Sequence, residues 1–395
     1  MKSIALSLAS ILVVLSAAVV LLETRYRDDL GVQRFLARYS LVADQRVHDA
    51  ADRLHDKGTP ESLKEAVVLY RELLSRDREN PYRWCDLGKA LYDSRNIDEA
   101  RSCYEKAVRL GPNNIQTLSR AVEFYMAAKQ PKEVFRYASR MLEKDPASQN
   151  SIFYLYLQTD LDFADTLAYG IPKSKPVAQA YMRYLIRNGD VEKAGKGWGW
   201  ELRKGFADGA LAGEYASFLI RIGDPAKARD AWAAWAGTSG NANRIYNAGF
   251  ESEPQPSPFD WQLSQTNGAE TARDESVRHE GKWSLRIEFD GKENVAYGHA
   301  GQSVYLEAGR YVLRGYVRTE GITTDKGIGL RAAGVATRQI TGTNDWVLLE
   351  QEFEVKQPAL VRVEVFRQTS ERFANKIAGT AWIDEISVKT LNVER

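Results

Sequence analysis

Apolar residues along this chain follow two rhythms, and the change between them falls near residue 240. Before it, apolar positions recur every three or four residues, the mark of amphipathic helices. After it, "KWSLRIEF", "RYVLRGYV", "KGIGLRAA", "WVLLEQEFEV", "LVRVEVFRQ" and "TAWIDEISV" alternate apolar with polar residues, with Gly or Asn-Asp between them. The first part predicts helices packed on helices. The second predicts an antiparallel sandwich of about 145 residues.

A third pattern opens the chain: an uncharged run from Ser3 to Leu22, preceded by Lys2 and followed by Glu23, Arg25 and Arg27. At about 1.5 Å per residue it is long enough to span a bilayer. Segment 1–23 therefore reads as a transmembrane anchor. A cleaved secretory signal is the rival reading, because Ser16-Ala17-Ala18 offers small residues to a peptidase. No Cys follows the run, which excludes a bacterial lipoprotein. Arg25, Arg27, Arg34 and Arg38 lie beyond it and, by the positive-inside rule, draw the C-terminal body to the cytoplasm. Segment 24–59 reads as one charged linking helix, ended by "DKGTPE". Its apolar stripe is Leu30, Phe35, Leu36, Leu41, Val42, Val47 and Leu54.

Segment 60–238 carries an internal repeat. In "PYRWCDLGKALYDSRNIDEARSCYEKAVRLGPNN", Trp84, Leu87, Gly88 and Leu91 are followed by Ala100, Tyr104 and Pro112. Small Gly88 and Ala100 let two antiparallel helices approach while the large residues fill their seam. Steps of 34 residues bring Ala66, Tyr70 and Leu73, then Leu118, Ala121 and Tyr125, into the same places. "GDVEKAGKGWGW" and "GDPAKARDAWAAW" keep that step, and Ile152–Pro176 is a degenerate unit. The pattern resembles the tetratricopeptide repeat, implying an all-α solenoid of about five or six units. Such solenoids bind protein partners along the face of each first helix. Here that face carries Tyr82, Asp86, Lys89, Tyr92, Asp93, Gln116, Arg120 and Glu123, with a solvated polar surface as the plainer reading. The Lys/Asn pattern that clamps a peptide carboxylate in some family members is absent.

Composition narrows the chemistry. A net charge of +1 with no basic block excludes the electrostatics of a nucleic-acid binder. Two cysteines, Cys85 and Cys103, leave no disulfide framework and no thiolate zinc cluster. They could bridge or stay as free buried thiols. The four histidines (His48, His55, His279, His299) show no metal-ligand spacing, and His48 and His55 read as helix surface. No nucleophile elbow, phosphate loop or histidine-based zinc motif is present, so the chain reads as non-enzymatic.

Segment 239–395 adds a second resemblance. "NAGFE", "EGKWSLRIEF", "YLEAGRYVLRGYVRTEGI", "DWVLLEQEF" and "GTAWIDEISV" come in an order similar to the jelly-roll carbohydrate-binding modules of the galactose-binding-like group. The likeness implies that Asn247–Glu251 forms the first strand. It also implies a structural Ca²⁺ held by Glu251, Asp384 and carbonyls near Gly281-Lys282; backbone hydrogen bonds to both carboxylates are the alternative.

Strand alternation turns Tyr311, Leu313, Val317, Ile328, Leu330, Val361, Val363 and Val365 inward. Arg314, Tyr316, Arg318, Arg331, Arg362, Glu364 and Phe366 then turn outward. If those strands share a sheet, Arg314, Tyr316, Arg331, Arg362, Glu364 and Phe366 make a face suited to an acidic glycan. Trp261, in its proline-rich loop, is the best extra stacking platform. Ordinary cross-strand Arg–Glu pairing is the competing reading. Trp283, Trp346 and Trp382 read as core or loop plugs.

The expected whole is an all-α solenoid followed by an all-β jelly roll. It would act as an envelope scaffold that binds a protein partner and a polysaccharide, on the periplasmic side of a bacterial inner membrane, in polysaccharide assembly or export. That location runs against the arginine count after the anchor. The alternative is a membrane-tethered protein scaffold whose sandwich binds no sugar.

Overall fold

The computed structural model describes residues 2–26, 29, 31, 32, 35, 36 and 43–391. Helix α1 spans Lys2–Arg25. Among the described residues no helix is long and apolar enough to cross a membrane, so the transmembrane reading of segment 1–23 is not supported. The single linking helix is corrected too: α1 ends at Arg25 and α2 begins at Asp44, ending at Lys57. Of its stripe, Leu36, Val47 and Leu54 are buried, whereas Phe35 is exposed. Leu30, Leu41 and Val42 lie outside the described residues, as do Arg27, Arg34 and Arg38.

The chain forms two compact units, residues 1–181 and 182–395. In the first, helices pack in consecutive pairs. These are α2 with α3 (Pro60–Arg76), α4 (Pro81–Asp93) with α5 (Ile97–Leu110), and α6 (Ile115–Ala127) with α7 (Pro131–Lys144). Thus α2 is the first half of a helix pair and not only a connector. The starts of α3, α4, α6 and α7 have a local cause. Thr59, Asn80 and Asn114 accept hydrogen bonds from the exposed N–H groups of the next turn, and Pro60, Pro81 and Pro131 occupy first helical positions.

Gly88 is needed for the α4–α5 approach, since a methyl group there would lie 2.9 Å from the Tyr104 ring. Cys85 and Cys103 are buried free thiols pushed up to about 12 by burial. The degenerate unit holds α8 (Gln149–Gln158) and α9 (Phe163–Asp165), which runs into a π-helical turn at Thr166–Gly170. There the Tyr156 hydroxyl donates to the Gly170 carbonyl at 3.0 Å. Helix α10 spans Lys175–Asn188.

The second unit adds α11 (Val191–Lys204), α12 (Gly209–Arg221) and α13 (Pro225–Ala236), each started by an aspartate cap: Asp190, Asp208 and Asp224. Ten strands follow: β1 (Gln262–Leu263), β2 (Ala269–Asp274), β3 (Ser284–Asp290), β4 (Tyr297–Leu306), β5 (Gly309–Ile322), β6 (Gly329–Ala332), β7 (Val335–Ala336), β8 (Gly342–Val355), β9 (Ala359–Arg367) and β10 (Ala378–Thr390). They form two five-stranded sheets, β1-β4-β9-β6-β7 and β2-β3-β10-β5-β8, and every strand pair among the described residues is antiparallel. The core lies between them, and every residue expected to turn inward belongs to it.

The expected first strand at Asn247–Glu251 is instead a turn. Asn247 and Phe250 have φ of 49° and 59°, left-handed values outside the regular strand range, and the turn drives the Phe250 ring into the core.

Helix α12 meets the sandwich directly. Methyl groups on Gly209 and Gly213 would lie 2.1 Å from Gln255 Oε1 and 2.2 Å from the Pro256 carbonyl oxygen. The proline-rich loop therefore lies against a side-chain-free stripe of the helix. Asp260, fully buried, fixes that loop by accepting the Gln255 and Trp261 N–H groups, each at 2.7 Å.

Candidate functional site

The residues expected to make one sugar-binding face divide between the two sheets. Arg314 and Tyr316 stand on β5 in one sheet; Arg331 on β6 and Arg362, Glu364 and Phe366 on β9 stand in the other. Alternation gave the correct faces, but strand order is a long-range property that it does not contain.

On the β9 side, Arg331 and Glu364 are register partners. Glu364 receives the Arg331 Nε at 2.7 Å and the Arg362 Nε at 3.1 Å, while Arg362 also reaches Gln262 Oε1 at 3.2 Å. Both guanidinium groups stay well exposed and the carboxylate is almost covered. Phe366 is 2% exposed, with Arg331 over its ring at 5.2 Å, so it supports the arginine and offers no open stacking face. On neighbouring β4, Gly298 and Gly301 carry no side chain beside Glu364 and Arg362. The result is a shallow polar trough with two cations on one buried anion.

The β5 side is occupied differently. Arg314 pairs with Glu350 across the β5–β8 register, as cross-strand pairing requires. Tyr316 is covered by His279, stacked at 3.8 Å, and His279 is paired with Glu385. Trp261 is also corrected: it is 1% exposed, packs on Phe250 at 4.8 Å, and donates its indole N–H to the Asn247 carbonyl at 2.9 Å. It fills the core and offers no platform.

Glu251 and Asp384 are both wrapped by the loop His279–Trp283. Glu251 Oε1 accepts the N–H groups of Lys282 at 2.9 Å and Trp283 at 3.2 Å. Asp384 accepts those of His279, Glu280 and Glu385 at 2.9, 3.2 and 2.8 Å. Burial pushes the Asp384 carboxyl up while those hydrogen bonds draw it down. Gly281 has φ +65°, and any side chain there would meet Glu251 at 2.1 Å. A Ca²⁺ ion would find two hard carboxylates here and would need carbonyls or water for the rest. Among the described residues no group of three His, Cys, Asp or Glu side chains is arranged to hold a metal ion. The backbone pairing of both carboxylates is the arrangement observed.

In the first unit, Asp86 on α4 links three helices. It accepts His48 Nε2 from α2 at 2.9 Å and Arg120 Nη1 from α6 at 2.6 Å. The Asp86 carboxylate beside His48 raises the imidazole pKa. His55 pairs with Asp93 at 2.7 Å. The two histidines read as helix surface are therefore interhelical partners, and their repeat-like offset of 38 residues from each aspartate was the available signal. Tyr82 receives Asn114 Nδ2 at 2.6 Å, and the Tyr92 hydroxyl donates to the Ala127 carbonyl at 2.9 Å. Lys89, Gln116 and Glu123 remain exposed. Most of this face is thus committed to joining helices.

A tetratricopeptide-repeat family model matches residues 81–114, the α4–α5 pair. That matched repeat lies within the helical part of the chain, and a two-sheet β-sandwich follows it. Among solved structures, the CBM22-1 xylan-binding domain of Paenibacillus barcinonensis Xyn10C is 16% identical, covering 37% of this chain and 93% of that one, with a TM-score of 0.25. The C-terminal family 22 carbohydrate-binding module of Clostridium thermocellum Xyn10B is 15% identical, covering 38% and 96%, TM-score 0.25. MamA protein is 13% identical, covering 49% and 91%, TM-score 0.26. A search of the curated proteins returns no match.

Proposed function

We propose that this protein is a non-enzymatic scaffold whose repeats hold a protein partner and whose sandwich holds a polysaccharide, in polysaccharide assembly or export outside the cytoplasm. The supporting observation is the trough on β4, β6 and β9. Arg331 and Arg362 sit on Glu364, and Gly301 on β4 makes room for the Arg362 guanidinium, so both donors are held on the outer face of the sheet. Two exposed guanidinium groups on one nearly covered carboxylate leave a net positive surface, which suits a glycan bearing carboxylates. Calcium at Glu251 and Asp384 belongs to the same reading, as a clamp on the sandwich ends.

The test is binding of the full chain to a panel of acidic and neutral polysaccharides, with calcium and with chelator. Saturable binding to an acidic polymer, weakened by Arg331→Gln and Arg362→Gln but not by Arg314→Gln, is the expected result. A folded protein that binds no polymer, or that loses binding only with Arg314→Gln, would remove the trough from the account and favour a protein-only scaffold.

A further inference from the structure

Within the second unit, a cleft of about 430 Å³ lies between α13, the segment 238–246 and β4. It is separate from the trough and serves none of the roles above. Its floor is fixed. Gln302, 1% exposed, accepts the Tyr246 N–H at 3.1 Å and donates to the Tyr246 carbonyl at 2.9 Å. Asn243 takes the Ile245 and Val388 N–H groups at 3.0 and 3.1 Å, and the Arg244 N–H donates to the Val388 carbonyl at 3.0 Å. The site is formed before any ligand arrives, which lowers the ordering cost of binding.

Its walls present a specific chemistry. The half-buried Tyr246 ring lines one wall, held edge-on by buried Trp232 at 5.3 Å and 85°. Tyr305 adds a third ring, with the Arg229 guanidinium 4.9 Å above it and tethered to Asp230 and Glu307. Arg244 is exposed at the rim and, among the described residues, has no carboxylate within ion-pair distance.

We propose that this cleft binds a small acidic saccharide, of mono- or disaccharide size, at a site distinct from the trough. Its ring C–H face packs against Tyr246 and Tyr305, and its carboxylate meets Arg244. The volume falls in the range of about 300–1,000 Å³ typical of small-molecule sites.

The test is calorimetric titration of the full chain with digalacturonate, and with xylobiose as the uncharged probe. Digalacturonate should bind saturably and xylobiose at least about tenfold more weakly. Arg244→Gln, at an exposed position, should remove that preference, Tyr305→Leu should weaken both, and Arg331→Gln in the trough should change neither. Equal affinity for the two probes, no binding of either, or binding lost with Arg331→Gln and kept with Arg244→Gln would overturn the proposal. Because the Arg331→Gln arm reads the trough, the fate of the two sites is told apart.

Discussion

Replacing Gly213 by alanine puts a methyl carbon 2.2 Å from the Pro256 carbonyl oxygen and 3.0 Å from Ser257 Cα. Real side chains stay beyond 3.0 Å, so helix α12 and the loop must part by at least 0.8 Å. The loop cannot yield freely, because its Gln255 N–H is held by buried Asp260 at 2.7 Å. Overpacking of this kind costs about 1–3 kcal/mol. It is opposed by the intrinsic helix preference of alanine over glycine, about 1 kcal/mol.

The two effects separate cleanly because Gly195, on α11, offers the control. A methyl group there meets nothing closer than the Tyr215 hydroxyl at 3.7 Å. Gly195→Ala should therefore stabilise by about 1 kcal/mol, whereas Gly213→Ala should gain nothing and lose up to about 2 kcal/mol net. Urea unfolding followed by tryptophan fluorescence reads both changes. Hydrogen exchange at the Gln255 amide should rise only in Gly213→Ala. If Gly213→Ala gains stability as Gly195→Ala does, the helix does not seat the loop and the joint between the last repeat and the sandwich is wrongly described.

Other outcomes follow from single side chains. Burial pushes Asp260 up to about 6 from an ordinary 3.8, so its protonated form is favoured in the folded state. Its contribution is therefore largest below pH 4, falls as pH rises from about 4 to 6, and is flat above. The difference in unfolding free energy between wild type and Asp260→Asn should carry that slope, at most about 3 kcal/mol in span, measured by urea unfolding at each pH. The raised pKa of His48 works in the same direction: its bond to Asp86 weakens as pH climbs past the ordinary histidine range. Asp86→Asn should reduce that dependence, leaving the part due to Asp52 and Asp49, and cost about 1–3 kcal/mol, read by the pH profile of Tm. Arg367, 2% exposed, donates to the carbonyls of Lys326 and Val295 and to Thr324, tying together loops far apart in sequence. Arg367→Met should cost about 2–4 kcal/mol in urea unfolding by leaving those acceptors unpaired. Cys85 and Cys103, buried with pKa values pushed up to about 12, should react with a thiol reagent only after urea opens the protein.

The sequence by itself determined what depends on neighbours along the chain. The period of apolar residues separated helices from strands. Gly88, Ala100 and Tyr104 marked one repeat, and alternation placed Val361, Val363 and Val365 on the core side. These are local facts, since a helix or strand shows its buried face through spacing alone. Only the tertiary structure decided which strands share a sheet, and so divided Arg314 and Tyr316 from Arg331, Arg362 and Glu364. It also made Trp261 a core residue and Asn247–Glu251 a turn, because left-handed φ values and the burial of Phe250 depend on what closes over them. His48 gained a partner only when α2 lay beside α4, and Gly213 gained a meaning only when Pro256 came within 2.2 Å of where its methyl group would be. Spacing encodes a face; contact between distant segments decides what that face meets.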